Sequence, residues 1–437
     1  MIAATGCAAS EREPVAETGQ DLIACPFLLT GWNTHLQGTP GGNTDEAAYA
    51  AAVDPGACAI YHVGFTFGGP GGFGDAYITR YSTTGSLTWT QAFGTNTLDS
   101  ANAVAVDSNH NVYVAGCTGG TLPNSAQASA GGNDAFLEKF DSSGTLQWVR
   151  QLGSAGNDCA YGVAVTPSDE VFIAGTARGV LPGGGMPYQG AADAFVAKYT
   201  TAGVLQFSRL LGTDDDDEAF GIAIGPAGNV YITGYTSNNL VAGAWQGGED
   251  IFLAKFNPAT GALMWARQRG TALDERALGV AANAFDEVFL TGYTRGSLDG
   301  NVASGSDDIA VVSYTTGGTW RWTDQRGTSQ MERGQAIMVD DDGVPYLAGF
   351  ADASLAGQPF VGIRDGIVMK YTRTGARTWT RELGVPGATG ATGALGIAGG
   401  FGDEWVVGYT SGNLNGVVNQ GGNDRFAIRY DGTGTVR

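Results

Sequence analysis

The stretch DAFVAKYTTAGVLQFSRLLG, Asp193–Gly212, decides the fold because its parts return along the chain at a fixed interval. An Asp opens the phrases DAYITRY, DAFLEKF, DAFVAKY, DIFLAKF, DIAVVSY, DGIVMKY and DRFAIRY, at positions 75, 134, 193, 250, 308, 365 and 424. Those are seven copies spaced 57 to 59 residues apart, a period that belongs to repeat architectures. A second phrase keeps the beat as AIYHVGF, VYVAGCT, VFIAGTA, VYITGYT, VFLTGYT, PYLAGFA and EWVVGYT. A third, an aromatic five residues before a Gly, recurs only six times, at Trp89, Trp148, Phe207, Trp265, Trp322 and Trp379.

The missing seventh copy stands at the other end of the chain, in LLTGWNTHLQG, where Trp32 lies 57 residues before Trp89. From Trp32 to Arg437 there are 406 residues, seven times 58. The expectation is that the N-terminal segment, residues 28–37, supplies the strand that the tail RFAIRYDGTGTVR leaves out.

Each unit offers four strand-like runs between clusters of Gly, Asn and Asp, such as YGVAV, EVFIAGT, DAFVAKY and VLQFSRLLG in the third. No stretch has convincing helical periodicity. Four antiparallel strands repeated radially describe an all-β, seven-bladed β-propeller, which leaves only short, protected edges. The run written GVAV, GIAI or AVAV has the smallest side chains and is expected innermost, where seven strands crowd one axis. The Trp-bearing run is expected outermost, covering the widening gap between blades. The domain reading is a tail over residues 1–27 and the propeller over 28–437.

The phrases GNVYITGYT (Gly228–Thr236), GSLDGNVASGSDD (Gly296–Asp308) and DAFVAKYTTAGVLQF (Asp193–Phe207) resemble the bacterial seven-bladed β-propeller (SBBP-type) repeat family. The resemblance covers nearly all of residues 28–437 and implies the propeller fold. It also implies a secreted or surface protein of the bacterial envelope. Members are mostly of unassigned function, so it carries over no catalytic residue.

Composition agrees with export. The chain has 43 acidic against 23 basic residues, a net charge of −20, which argues against nucleic acid or an anionic membrane surface as partner. No run is long and apolar enough for a transmembrane segment. MIAATGC places small residues before Cys7, resembling the lipid-attachment box of bacterial lipoproteins without its hydrophobic lead. A lipid anchor at Cys7 followed by the polar tether AASEREPVAETGQDLIA is the expectation. Cys25 pairs with Cys58 and Cys117 with Cys159 in the propeller reading, because each pair falls on one face of the ring. Each disulfide would contribute about 2–4 kcal/mol, and buried thiols are the alternative.

Candidate chemistry is sparse. The three histidines, His35, His62 and His110, are far apart in sequence, which disfavours a metal site or hydrolytic triad. The Asp of every DAFVAKY-like phrase reads as an acceptor for turn N–H groups. A second acidic series, Glu46, Asp99, Asp158, Asp217, Glu275 and Glu332, broken at Ala391, is expected near one mouth of the channel, capping loops or holding a cation. The run Asp214, Asp215, Asp216, Asp217 and Glu218 is a candidate for Ca²⁺ or a solvated loop, since it lacks the alternation and Gly of an EF-hand. A Leu repeats in the long loop between the second and third strands, whereas Tyr188, Trp245 and Phe360 occur there without repeating. Those three are the ligand-binding candidates, because loops on a rigid scaffold carry function. The functional expectation is a non-catalytic surface module that binds a protein or glycan through its loop face. The alternative is a carboxylate-based hydrolase or lyase with its site in the channel funnel.

Overall fold

The computed structural model describes residues 35–37, 45–67, 69–70, 72, 74–184, 187–355, 357–387, 389–400 and 402–437. The calls on the tail, on Cys7 and Cys25, and on Trp32 lie outside the described residues. The chain forms seven four-stranded antiparallel sheets. Among the described residues the sole helical element is a 3-10 turn, Leu298–Gly300.

After the short strand β1 (His35–Gln37), blade one runs outward as β2 (Ala47–Asp54), β3 (Ala59–Thr66), β4 (Asp75–Ser82) and β5 (Leu87–Phe93). Blades two to six repeat that order. In the seventh sheet Thr392–Gly400 is innermost, followed by Asp403–Thr410 and Asp424–Asp431, and β1 takes the fourth place. His35 lies opposite Ala427, Leu36 opposite Phe426 and Gln37 opposite Arg425. The amide of Glu46 donates to the Asn423 carbonyl at 2.8 Å, and the inner strands of blades one and seven pack together.

Side-chain volume explains the order of strands. A Cβ on Gly162 would approach Ile222 of the next blade to 2.7 Å, and one on Gly396 would come 2.8 Å from the Ala50 Cα. That position is Gly or Ala in all seven blades, which lets the seven strands come so close together. The second and third strands are buried on both sides, as in Val230–Thr236 and Asp250–Phe256. Period-2 alternation therefore fails there, because each blade is covered by a neighbour on either face.

The outer strand clamps the next blade. Trp148 donates its indole N–H to the Thr201 carbonyl at 3.1 Å, and Trp379 does the same to Gly432 at 3.3 Å. Two residues further on, Arg150 and Arg381 reach the carbonyls of Gly203 and Gly434 at 2.6 and 2.8 Å while stacking on those indoles. Gly203 has φ +76° and sits against the Trp148 ring, so the turn needs both the left-handed backbone and the missing Cβ.

The repeated Asp and the Gly that follows each outer strand form one device. The Asp250 carboxylate takes N–H bonds from Gln246 and the Gln268 side chain, at 3.1 and 3.0 Å. Its other oxygen lies against Gly270, where a Cβ would overlap it. The same Asp–Gly contact joins Asp134 to Gly153, Asp193 to Gly212 and Asp308 to Gly327. Burial pushes the carboxyls of Asp193 and Asp250 up to about 6.

Candidate functional site

Every inner strand carries a β-bulge at the same place, three residues after the position of the acidic series. The ladder slips between Ala48 and Ala50, Ala101 and Ala103, Ala160 and Gly162, and at the matching points of the other four blades. A bulge releases one residue from pairing and re-aims its side chain. The seven released residues are aromatic (Tyr49, Tyr161, Phe220), aliphatic (Leu278, Leu395) and amide-bearing (Asn102, Gln335). All seven are half-buried and line one cavity of about 660 Å³ at the loop-bearing mouth of the channel. Two residues deeper, Val104, Val163, Ile222, Val280 and Ile337 line it with aliphatic surface.

Aromatic contacts hold one side of the cup. The Tyr161 and Phe220 ring centres are 5.2 Å apart, and Phe220 stacks on Tyr235 at 6.0 Å. Burial raises the Tyr161 phenol, reinforced by Glu218, and pushes Tyr49 up to about 12, so both stay protonated and can donate. Cys117 and Cys159 are joined as a disulfide with Cα atoms 4.8 Å apart, and both line the cavity. The Asn102 amide donates to the Ala160 carbonyl at 2.9 Å and lies within 3.4 Å of both sulfurs, fastening blade two to blade three. Cys58 is also disulfide-bonded.

The acidic series caps loops. Asp99 accepts from the Thr95 amide and hydroxyl, Asp158 from Ser154 and the Arg178 amide, and Glu275 from Thr271, Thr294 and Gly296. Burial raises Asp99, Asp217, Glu275 and Glu332. In blade seven the corresponding place, opposite Thr410 as Asp99 is opposite Thr118, belongs to Thr392 and not Ala391. Thr392 meets the Thr410 hydroxyl at 3.1 Å, a neutral version of the same cap.

The run Asp214–Glu218 is divided among separate tasks. Asp217 caps Thr213, Asp216 and Glu218 face Arg178 at 3.4 and 3.1 Å, and Asp215 accepts from Asn238. Among the described residues no group of three or more His, Cys, Asp or Glu is gathered as a metal site. His62 meets the Tyr77 hydroxyl at 3.1 Å, whereas His110 meets Asp54 at 2.9 Å.

The three loop aromatics do not converge. Tyr188 donates to the Ala191 carbonyl and Trp245 to the Gly248 carbonyl, each within its own loop, while Phe360 is half-buried in blade six. None of them lines the mouth cavity. The residues that do were missed in the sequence, although a signal existed. In the inner run, the position between two small residues is the one whose chemistry changes from blade to blade.

Residues 206–240 match a family model described as a β-propeller repeat. Repeat and architecture together make the chain a seven-bladed β-propeller repeat protein. It is similar to the regulatory protein FlaEY of Caulobacter vibrioides, at 27% identity over 71% of this chain and 29% of that one. It is also similar to an uncharacterized WD repeat-containing protein, L264, of Acanthamoeba polyphaga mimivirus, at 23% identity over 53% of this chain and 19% of the other. The chain thus spans less than a third of the length of these relatives. Solved structures with a similar backbone include the β-propeller domain of the Trilobed protease from Pyrococcus furiosus, at 6% identity, 90% and 97% coverage and a TM-score of 0.48. Another is the periplasmic gluconolactonase PpgL of Pseudomonas aeruginosa, at 14% identity, 74% and 81% coverage and a TM-score of 0.43. Among the described residues no helix is long and apolar enough to cross a membrane.

Proposed function

We propose that this propeller is a non-catalytic binding module that holds a protein or glycan at the mouth of its channel, on the loop-bearing face. The observation that carries the reading is the set of seven bulged side chains. They differ in chemistry from blade to blade yet line one cavity, on a scaffold whose flanking positions repeat. The carboxylates of the cavity wall are already engaged: Asp158 caps Ser154, and Glu218 is paired with Arg178. That arrangement favours recognition over acid–base chemistry. A relative described as a regulatory protein is consistent with an interaction role. Disulfide-bonded Cys117, Cys159 and Cys58 favour an oxidising compartment, hence the cell surface or beyond. Panels of envelope proteins and neutral glycans, run beside hydrolase and lyase substrates, test the reading. Saturable binding without turnover is expected, weakened at least tenfold by Tyr161→Ala. Turnover abolished by Glu218→Gln would replace the module with an enzyme.

A further inference from the structure

The loop face carries a second set of features, which begins at the cup wall with Leu98 and extends beyond it. Leu98, Val180, Leu273, Val302, Ile363 and Val418 are each more than half exposed, and Val302 is 80% exposed. All six stand on loops that enter an inner strand or join a second strand to a third, so they share the face on which the cavity opens. Isolated exposed aliphatics are ordinary, but six of them on the face where an apolar-floored cavity opens mark an interaction surface.

The charges on this face are not balanced. Arg178, Arg276, Arg295, Arg333 and Arg364 are each paired with a carboxylate. Asp214 and Asp215 are exposed and have no ion pair among the described residues. The rim beside blades three and four is therefore acidic. The cup below it is lined by aliphatic and aromatic groups, with the amides of Gln335, Asn133 and Asn157 at its wall.

We infer that the occupant is a protruding loop of a partner protein. The inference rests on the binding-module reading. An uncharged aromatic or aliphatic side chain at the tip of the loop fills the cup, over Ile222 and Val280. Side-chain amides at the wall bond the peptide groups of the loop, which would otherwise be desolvated without partners. The aliphatic rim packs on the partner's surface, and basic residues flanking the tip face Asp214 and Asp215. A glycan would use the aromatic wall and the amides, but it has no use for exposed Val, Leu and Ile on the same face.

The test is selection of a disulfide-constrained peptide phage library on the full chain, in parallel with an array of neutral oligosaccharides. The expected result is peptides with an apolar tip flanked by Lys or Arg. Their affinity should fall at least tenfold with Leu278→Trp, which fills the cup, and about threefold with Val302→Asp on the rim. It should also weaken with added salt. Val302 is so exposed that its substitution leaves the blade folded, which keeps the test valid if the cup variant misfolds. Oligosaccharides that bind, and are lost with Leu278→Trp while no peptide is selected, would overturn the protein partner and leave the module standing. Peptides indifferent to both variants would overturn the inference and the placement of the site together. So would the absence of any binder from both collections.

Discussion

The outer and the inner edge of each blade are built from the same repeat, yet they behave in opposite ways. At the outer edge the same contacts recur: an indole on the next blade's turn, an arginine over it, an Asp against a Gly. At the inner edge the strand repeats, but its bulged residue is Tyr, Asn, Tyr, Phe, Leu, Gln and Leu in turn. Contacts that recur from blade to blade hold the ring together, and the one place released from the ladder is where the blades differ. Burial separates the two edges as well, since the Asp–Gly contact is sealed and the bulged side chains face an open cup.

The largest effect expected to sharpen this contrast is one of pH. Asp193 and Asp250 are held near 6 by burial, which also holds Glu382, on the outer strand of blade six, and Glu404, on the second strand of blade seven, near 7. Carboxyls raised above their unfolded values take up protons on folding. Their stabilising contribution is complete below about pH 4 and is lost as pH rises through 6 to 7. The melting temperature should then be about 5 °C higher at pH 5 than at pH 8, and Asp250→Asn should flatten part of that slope. A melting temperature that falls between pH 8 and pH 5 would break the assignment of Asp193 and Asp250 to the sealed scaffold.

A smaller effect is expected for Gly270→Ala, which places a methyl group on the Asp250 oxygen. Overpacking of this kind costs about 1–3 kcal/mol, read as an earlier unfolding transition in calorimetry. The smallest belongs to the bulge: Leu278→Ala, half-buried at the cup, should change stability by less than about 1 kcal/mol. If the order of those two variants were reversed, the division between scaffold and recognition positions would fail.

The repeat made the architecture legible, because periodic Asp, Gly and Trp each answer to one contact that the ring makes again and again. Strand order followed from volume alone, with Gly and Ala at the axis. Alternation was a weaker guide for the middle strands, whose two faces are both covered by neighbours. The site was harder to read. Trp245 and Tyr188 stand out as aromatic exceptions in their loops, but each hydrogen-bonds its own loop, which no linear pattern reveals. The bulge is invisible in sequence because Tyr161 or Gln335 between small residues also fits an unbroken strand. Likewise, the step from Ala391 to Thr392 depends on register across the ladder, which spacing counts cannot supply.

Seven equal blades would by themselves frame an opening with sevenfold rotational symmetry, and a visitor could then sit in any of seven equivalent poses. Releasing one side chain per blade removes that degeneracy: with Tyr161 and Phe220 adjacent on one side and Leu278, Gln335 and Leu395 on the other, no rotation of the ring maps the opening onto itself. In the proposed binding module such an opening would give a guest a single preferred azimuth and a stoichiometry of one guest per ring.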